Sequence, residues 1–194
     1  MAFGLVKFEG VERYIKSYAE YIIRQARQRL SIDKDVTGKL SKSLHYNLYQ
    51  TEKGWVLEFR SSALNKDGKP YADYVNKGVG GTEGIRTYIT IEGKRKRSPY
   101  KFKRGKDKAP PPSSLRDWAK AKGYQGRYSA GAAGGKGGQF MSDEAFGFAI
   151  SKGIQKRGVP AASFYTQPIS WSFNFFKEEL QRELKLDVLN YLTE

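Results

Sequence analysis

Between positions 11 and 30 the apolar residues Val11, Ile15, Tyr18, Ile22, Ala26 and Leu30 recur every three or four places, while Arg13, Lys16, Glu20, Arg24, Gln25 and Gln28 fall on other faces. That period lays one apolar stripe along a helix and predicts a long amphipathic one. Polar residues and Gly38 end it. From Leu44 the period becomes two: Leu44, Tyr46 and Leu48 alternate with His45, Asn47 and Tyr49, and after Glu52-Lys53-Gly54 the residues Trp55, Leu57 and Phe59 again share a face. Two half-buried strands joined by so short a turn pair as an antiparallel hairpin, whose apolar face needs a helix over it.

The pattern continues with a short helical turn at 69–78, carrying Tyr71, Tyr74 and Val75 on one side and stopped by Gly78. Ile85, Thr87, Ile89 and Ile91 alternate as a third strand with Tyr88 between. Pro110-Pro111-Pro112 interrupts regular structure. Ser114 is placed to cap a helix with Asp117 three residues on, an apolar patch of Leu115, Trp118 and Ala119, and Gly123 as its stop. Seven of the 17 residues at 123–139 are Gly, which predicts a flexible loop with too little apolar surface to offset its backbone entropy. Ser142 or Asp143 then starts a helix carrying Phe146, Ala149, Ile150 and Ile154 inward and stopping at Gly158. A last helix begins near Pro168 and runs towards Tyr191, with Ile169, Phe173, Phe176, Leu180, Leu184 and Val188 as its inward stripe. Leu186 and Leu189 lie off that stripe, a second apolar side available to a partner chain. The sum is an α+β fold in one domain over 1–194: a small antiparallel β-sheet packed against a long N-terminal helix, with further helices in the C-terminal half.

Composition narrows the chemistry. The 194 residues include no Cys and one His, His45, which sits on the hairpin's outer face. Disulfides, thiolate nucleophiles and Cys-ligated metals are excluded, as is any multi-His metal site. A chain of this length buries roughly 70% of its unfolded surface without such supports. No apolar run approaches the roughly 20 residues of a membrane span and the first ten residues lack a secretion signal, so the expectation is a whole, soluble chain with no membrane partner. Gly131-Ala132-Ala133-Gly134-Gly135-Lys136-Gly137 has a phosphate loop's glycines but Ala130 in place of its first one, Gly137 where Ser or Thr would hold magnesium, and no strand before it. Asp33 with Asp35, and Asp143 with Glu144, read as surface and capping carboxylates rather than acid–base pairs. No cofactor is implied.

Charge adds one local feature. The chain carries +15, and Lys94, Arg95, Lys96, Arg97, Lys101, Lys103, Arg104, Lys106 and Lys108 lie within 15 residues with Asp107 the single acid. The remainder holds 26 basic against 19 acidic residues, so about half the excess sits in this arm at 94–108. Tyr100 and Phe102 inside it could stack on bases while its cations neutralise phosphates, which makes a nucleic-acid-binding arm one reading. The other is an extended hairpin or loop facing solvent or an acidic protein. The absence of a base-reading helix favours the second.

Several separated segments, in order, resemble the head-to-tail connector and tail-completion (neck) proteins of tailed bacteriophages. Gly38-Lys39-Leu40-Ser41-Lys42-Ser43-Leu44 follows a long helix; Pro70-Tyr71-Ala72-Asp73-Tyr74-Val75-Asn76-Lys77-Gly78 is similar to the family's YAxYVExG segment; Leu115 and Trp118-Ala119 precede Gly123; and Ala149-Ile150 through Ile154 lead into Arg157-Gly158-Val159-Pro160-Ala161 with Phe164, which is similar to its RGxPAxPF stretch. Asn76 stands where the family often has an acid and Ser163 where it often has Pro. The resemblance implies a non-enzymatic structural virion protein, made in the host bacterial cytoplasm and assembled as a homo-oligomeric ring in the neck. Its neighbours would be the portal or adaptor and tail proteins, with non-specific contact to packaged DNA. Neck adaptor, tail-completion ring and tail terminator all fit this description.

Overall fold

The computed structural model describes residues 8–33, 38–52, 54–65, 68–105, 109–131 and 133–193. The predicted first helix is α1 (Glu9–Asp33), and all six residues of its stripe are buried, joined by Ala19 and Ile23. A short helix α2 (Lys39–Ser43) leads into β1 (Leu44–Thr51), which pairs antiparallel with β2 (Gly54–Ser61). Tyr46 stands opposite Phe59 and Leu48 opposite Leu57, the register that the two alternating runs require. The core forms where α1 crosses this hairpin: Ile23, Ala26 and Leu30 meet Leu40, Leu44, Ala63 and Phe164, with Tyr46 and Phe59 half-buried against them. Each of the large side chains buried there, such as Leu30 and Phe164, contributes roughly 1.5–3 kcal/mol of transfer free energy.

Next come α3 (Ala72–Lys77), β3 (Val79–Gly80), β4 (Thr87–Ile89) and β5 (Arg95–Arg97). Then α4 (Pro112–Ala121), α5 (Asp143–Arg157), β6 (Gly158–Val159) and α6 (Thr166–Thr193) complete the described chain. The fold is α+β with small antiparallel sheets, in the pairs β1–β2, β3–β6 and β4–β5.

Four local expectations need correction. The third strand is three residues long and pairs with the basic segment, not with the first hairpin; Ile85 and Ile91, at 67% and 51% exposure, lie outside it. Gly93, at φ +76, turns the chain directly after β4, with the Thr90 N–H donating to Lys94 O at 2.8 Å. In α4, Pro112 occupies the first turn ahead of Ser114, because proline's fixed φ suits a position whose N–H has no helical partner; Gly123, at φ +67, closes that helix as expected.

The inner face of α5 is Gly147, Ser151 and Gln155, while Ala149 is exposed. Small residues win there because α4 approaches closely: a β-carbon at Gly147 would lie 2.6 Å from Pro112 O, and Ser151 Oγ donates to Pro110 O at 2.6 Å. Apolar periodicity cannot report a face built from glycine, serine and glutamine. Finally, the stripe of α6 is only partly inward, with Phe173, Leu184 and Val188 at 45%, 44% and 41% exposure.

Candidate functional site

The segments at 70–80 and 157–165, nearly eighty residues apart, fold onto each other. Val79 pairs with Val159 and Gly80 with Gly158; Ala162 N–H donates to Val75 O and Ser163 N–H to Asn76 O, each at 2.9 Å. Asn76 is 5% exposed, and its Oδ1 accepts the Tyr165 N–H at 3.2 Å. Ser163, at φ +46, holds a conformation unusual for a residue with a side chain; its Oγ accepts the Ile89 N–H at 3.3 Å. The glycines at this crossing are obligatory, since a β-carbon at Gly81 would overlap the Lys156 carbonyl and one at Gly158 the Val79 carbonyl. Phe164, fully buried, then enters the core.

The basic segment is stitched to this crossing. Ser98 Oγ donates to Gly78 O at 2.6 Å, and the N–H groups of Gly80 and Phe102 bond to Tyr100 O and Gly80 O, both at 2.8 Å. Gln155, buried on α5, sends its amide N–H groups to Gly105 O at 2.6 Å and Lys103 O at 3.2 Å. The Tyr100 hydroxyl donates to Asp73, which also takes Lys77 Nζ at 2.9 Å, and its ring packs on Tyr74 with centroids 4.2 Å apart. The Asp73 carboxylate that accepts this proton, helped by desolvation, pushes the Tyr100 hydroxyl up to about 12.

With the backbone held this way, the side chains of Lys94, Arg95, Lys96, Arg97, Lys101, Lys103 and Arg104 all face solvent. Among the described residues none of the seven forms a salt bridge. Glu92, at the hairpin turn, has its carboxyl held below the usual range by the Thr90 hydroxyl and its own backbone, then by Lys96 and Lys94. Lys106 and Lys108 lie outside the described residues. The arrangement is a fixed surface of positive charge suited to a polyanion or an acidic protein face. Sequence reasoning located its cations but missed its anchors, Asp73 and Gln155, whose roles depend on contacts 27 and 50 residues away.

A second feature is an apolar groove of about 630 Å³ lined by Val11, Ile15 and Tyr18 of α1, Trp55, Leu57 and Phe59 of β2, Ile91, and the stripe of α6 from Ile169 to Leu184. Tyr18 and Phe176 stack across it at 4.1 Å. The Tyr18 hydroxyl, hydrogen-bonded to Ser172 at 3.0 Å, is raised by burial against the opposing pull of that bond.

Elsewhere, His45 is exposed and its Nδ1 lies 3.0 Å from Ser43 O. Asp143 and Glu144 open α5 beside the Ser142 cap, and Lys120 pairs with Asp143 at 2.8 Å. Asp35 lies outside the described residues. The glycine-rich loop is closed at its base by an Arg127–Phe140 bridge, with Arg127 over the Phe140 ring at 3.7 Å. Among the described residues no cluster of three or more His, Asp or Glu side chains could hold a metal ion, and no helix is long and apolar enough to cross a membrane.

Comparison of the chain with protein-family models, curated proteins and solved structures gives no match.

Proposed function

We propose that this chain is a structural virion protein of a tailed bacteriophage, forming a ring in the neck that joins the portal and head to the tail. The observation that carries the reading is the joining of its two motif-bearing segments. Pro70 to Gly78 and Arg157 to Phe164 carry the family resemblance, and they are the segments hydrogen-bonded through Val75, Asn76, Ala162 and Ser163. Independent motifs scattered on a surface would have no reason to share one crossing, whereas a motif that encodes a fold does. The exposed apolar side of α6 is consistent with subunit contacts. The reading is tested by locating the protein in virions with antibody or in a virion map. Copies at the head-to-tail junction are expected, and a map with none there rejects it.

A second reading, a non-enzymatic nucleic-acid-binding protein, is favoured by one observation: seven exposed cations of the arm with no carboxylate in salt-bridge contact among the described residues. Tight retention on naked duplex DNA with a steep salt slope would select it over the first.

A further inference from the structure

The helix α6 shows more apolar surface than a monomer needs. Nine of its large apolar side chains, among them Trp171, Phe175, Leu189 and Leu192, are 41–73% exposed. With roughly 150–250 Å² for a whole aromatic side chain and less for an aliphatic one, the exposed part is on the order of 900 Å². A standard interface takes about 800 Å² from each partner.

Trp171, Phe175 and Leu186 aside, the rest of this surface falls into two complementary parts. One is the groove, whose rim residues Ile91, Phe173 and Leu184 remain about half exposed and whose lining carries no charge. The other is the end of the helix. Asp187 lies against Gly10 and Val11 at the start of α1, and residues 188–193 continue for about another 9 Å at helical rise. Val188, Leu189, Tyr191 and Leu192 there are exposed, and residues 188–193 carry no charge. In a chain with +15 net charge, two copies meet with least repulsion where both faces are uncharged.

We propose that residues 188–193 of one copy seat in the apolar groove of a second copy of this chain, making a head-to-tail interface. A knob and a groove at different places on one molecule form a heterologous contact, which closes into a ring when its rotation permits. The inference deepens the ring reading above and rests on it for the closure, but the contact itself is testable on purified protein.

The test exploits the absence of cysteine. Ile91→Cys at the groove rim and Leu192→Cys at the helix end, combined in one chain and treated with a bifunctional maleimide at high protein concentration, should give a ladder of covalent species beyond the dimer. Each single variant should remain monomeric. Adding Leu189→Asp, an exposed position, should reduce the ladder at least tenfold with the melting temperature unchanged. A double variant that stays monomeric, or a Leu192→Cys chain that alone cross-links to dimers, overturns the proposal. A ladder from a protein absent from the neck would keep this interface and remove the neck reading. Copies in the neck without a ladder would do the reverse.

Discussion

The carboxylate of Asp187 caps the helix that contains Val11: Oδ2 accepts the Val11 N–H at 2.9 Å and Oδ1 that of Gly10 at 3.1 Å. The cap is supplied by α6, 176 residues away from Val11, so a local helix-start signal is replaced by a tertiary one. A carboxylate here satisfies two orphan donors and faces the positive end of the helix dipole. Asp187→Ala should lower stability by about 1–2 kcal/mol in denaturant unfolding, the scale of a lost cap with charge. Gly10→Ala should displace this cap, because its β-carbon would lie 2.6 Å from Oδ1 and the Asp187 side chain must move.

Phe164→Ala should cost about 3–5 kcal/mol, as its side chain is fully buried in the central cluster and leaves a cavity there. His45→Gln should stay within about 0.5 kcal/mol and leave function intact, since the ring is exposed. Trp118 is only half-buried against Tyr124, with ring centroids 5.3 Å apart, so Trp118→Ala should fall nearer about 1–2 kcal/mol. Thermal or chemical denaturation of the three variants gives the order directly; equal losses would contradict the burial pattern.

Asn76→Leu should destabilise by about 1–3 kcal/mol, because it removes a buried acceptor and leaves the Tyr165 N–H without the bond that Asn76 Oδ1 provides. Faster amide exchange at Tyr165 is the specific readout, and an unchanged exchange rate would deny the bond its role.

Tyr100 gives a pH signature. Its hydroxyl ionises near 12 in the folded chain against 10 as the ordinary value, so the native state keeps a proton that the unfolded chain releases first. The stabilisation is present in full below pH 10 and is lost as pH rises towards 12. Stability curves of the wild type and Tyr100→Phe should therefore converge over that window. Curves that stay parallel would mean the bond to Asp73 contributes nothing.

Neutralising Lys94, Arg95, Lys96 and Arg97 together should leave thermal stability within about 0.5 kcal/mol, since all four are exposed. If the arm meets an acidic protein neighbour, assembled virions should fall while binding to naked DNA stays weak at both low and high salt. If it binds DNA, each phosphate contact removed should lower the salt slope by roughly 0.9.

The long-period and two-period stretches were legible because their apolar residues are large and face one core. The stripe of α1 and the antiparallel pairing of the two alternating runs follow from the sequence alone, while the register comes from the structure. The short strands were not legible, since β3 and β6 have two residues each and exist through glycines that let two backbones cross. The face of α5 was hidden by its small and polar residues. In α6 the stripe at 169–188 was readable as apolar, but periodicity cannot distinguish a face that meets its own core from one that borders an open groove.

The capping of α1 by Asp187 also sets a timetable for synthesis. The partner that covers the lower end of the α1 stripe leaves the ribosome 177 residues after Gly10. At 5–20 residues per second that is roughly 9–35 s, during which Val11, Ile15 and Tyr18 have no α6 to lie against. A nascent chain in this interval offers chaperones a helix with a bare apolar stripe. On the interface proposed above, contact between copies would also wait until residues 188–193 have emerged, so that folding of α1 against α6 and docking on a neighbour become possible at nearly the same moment.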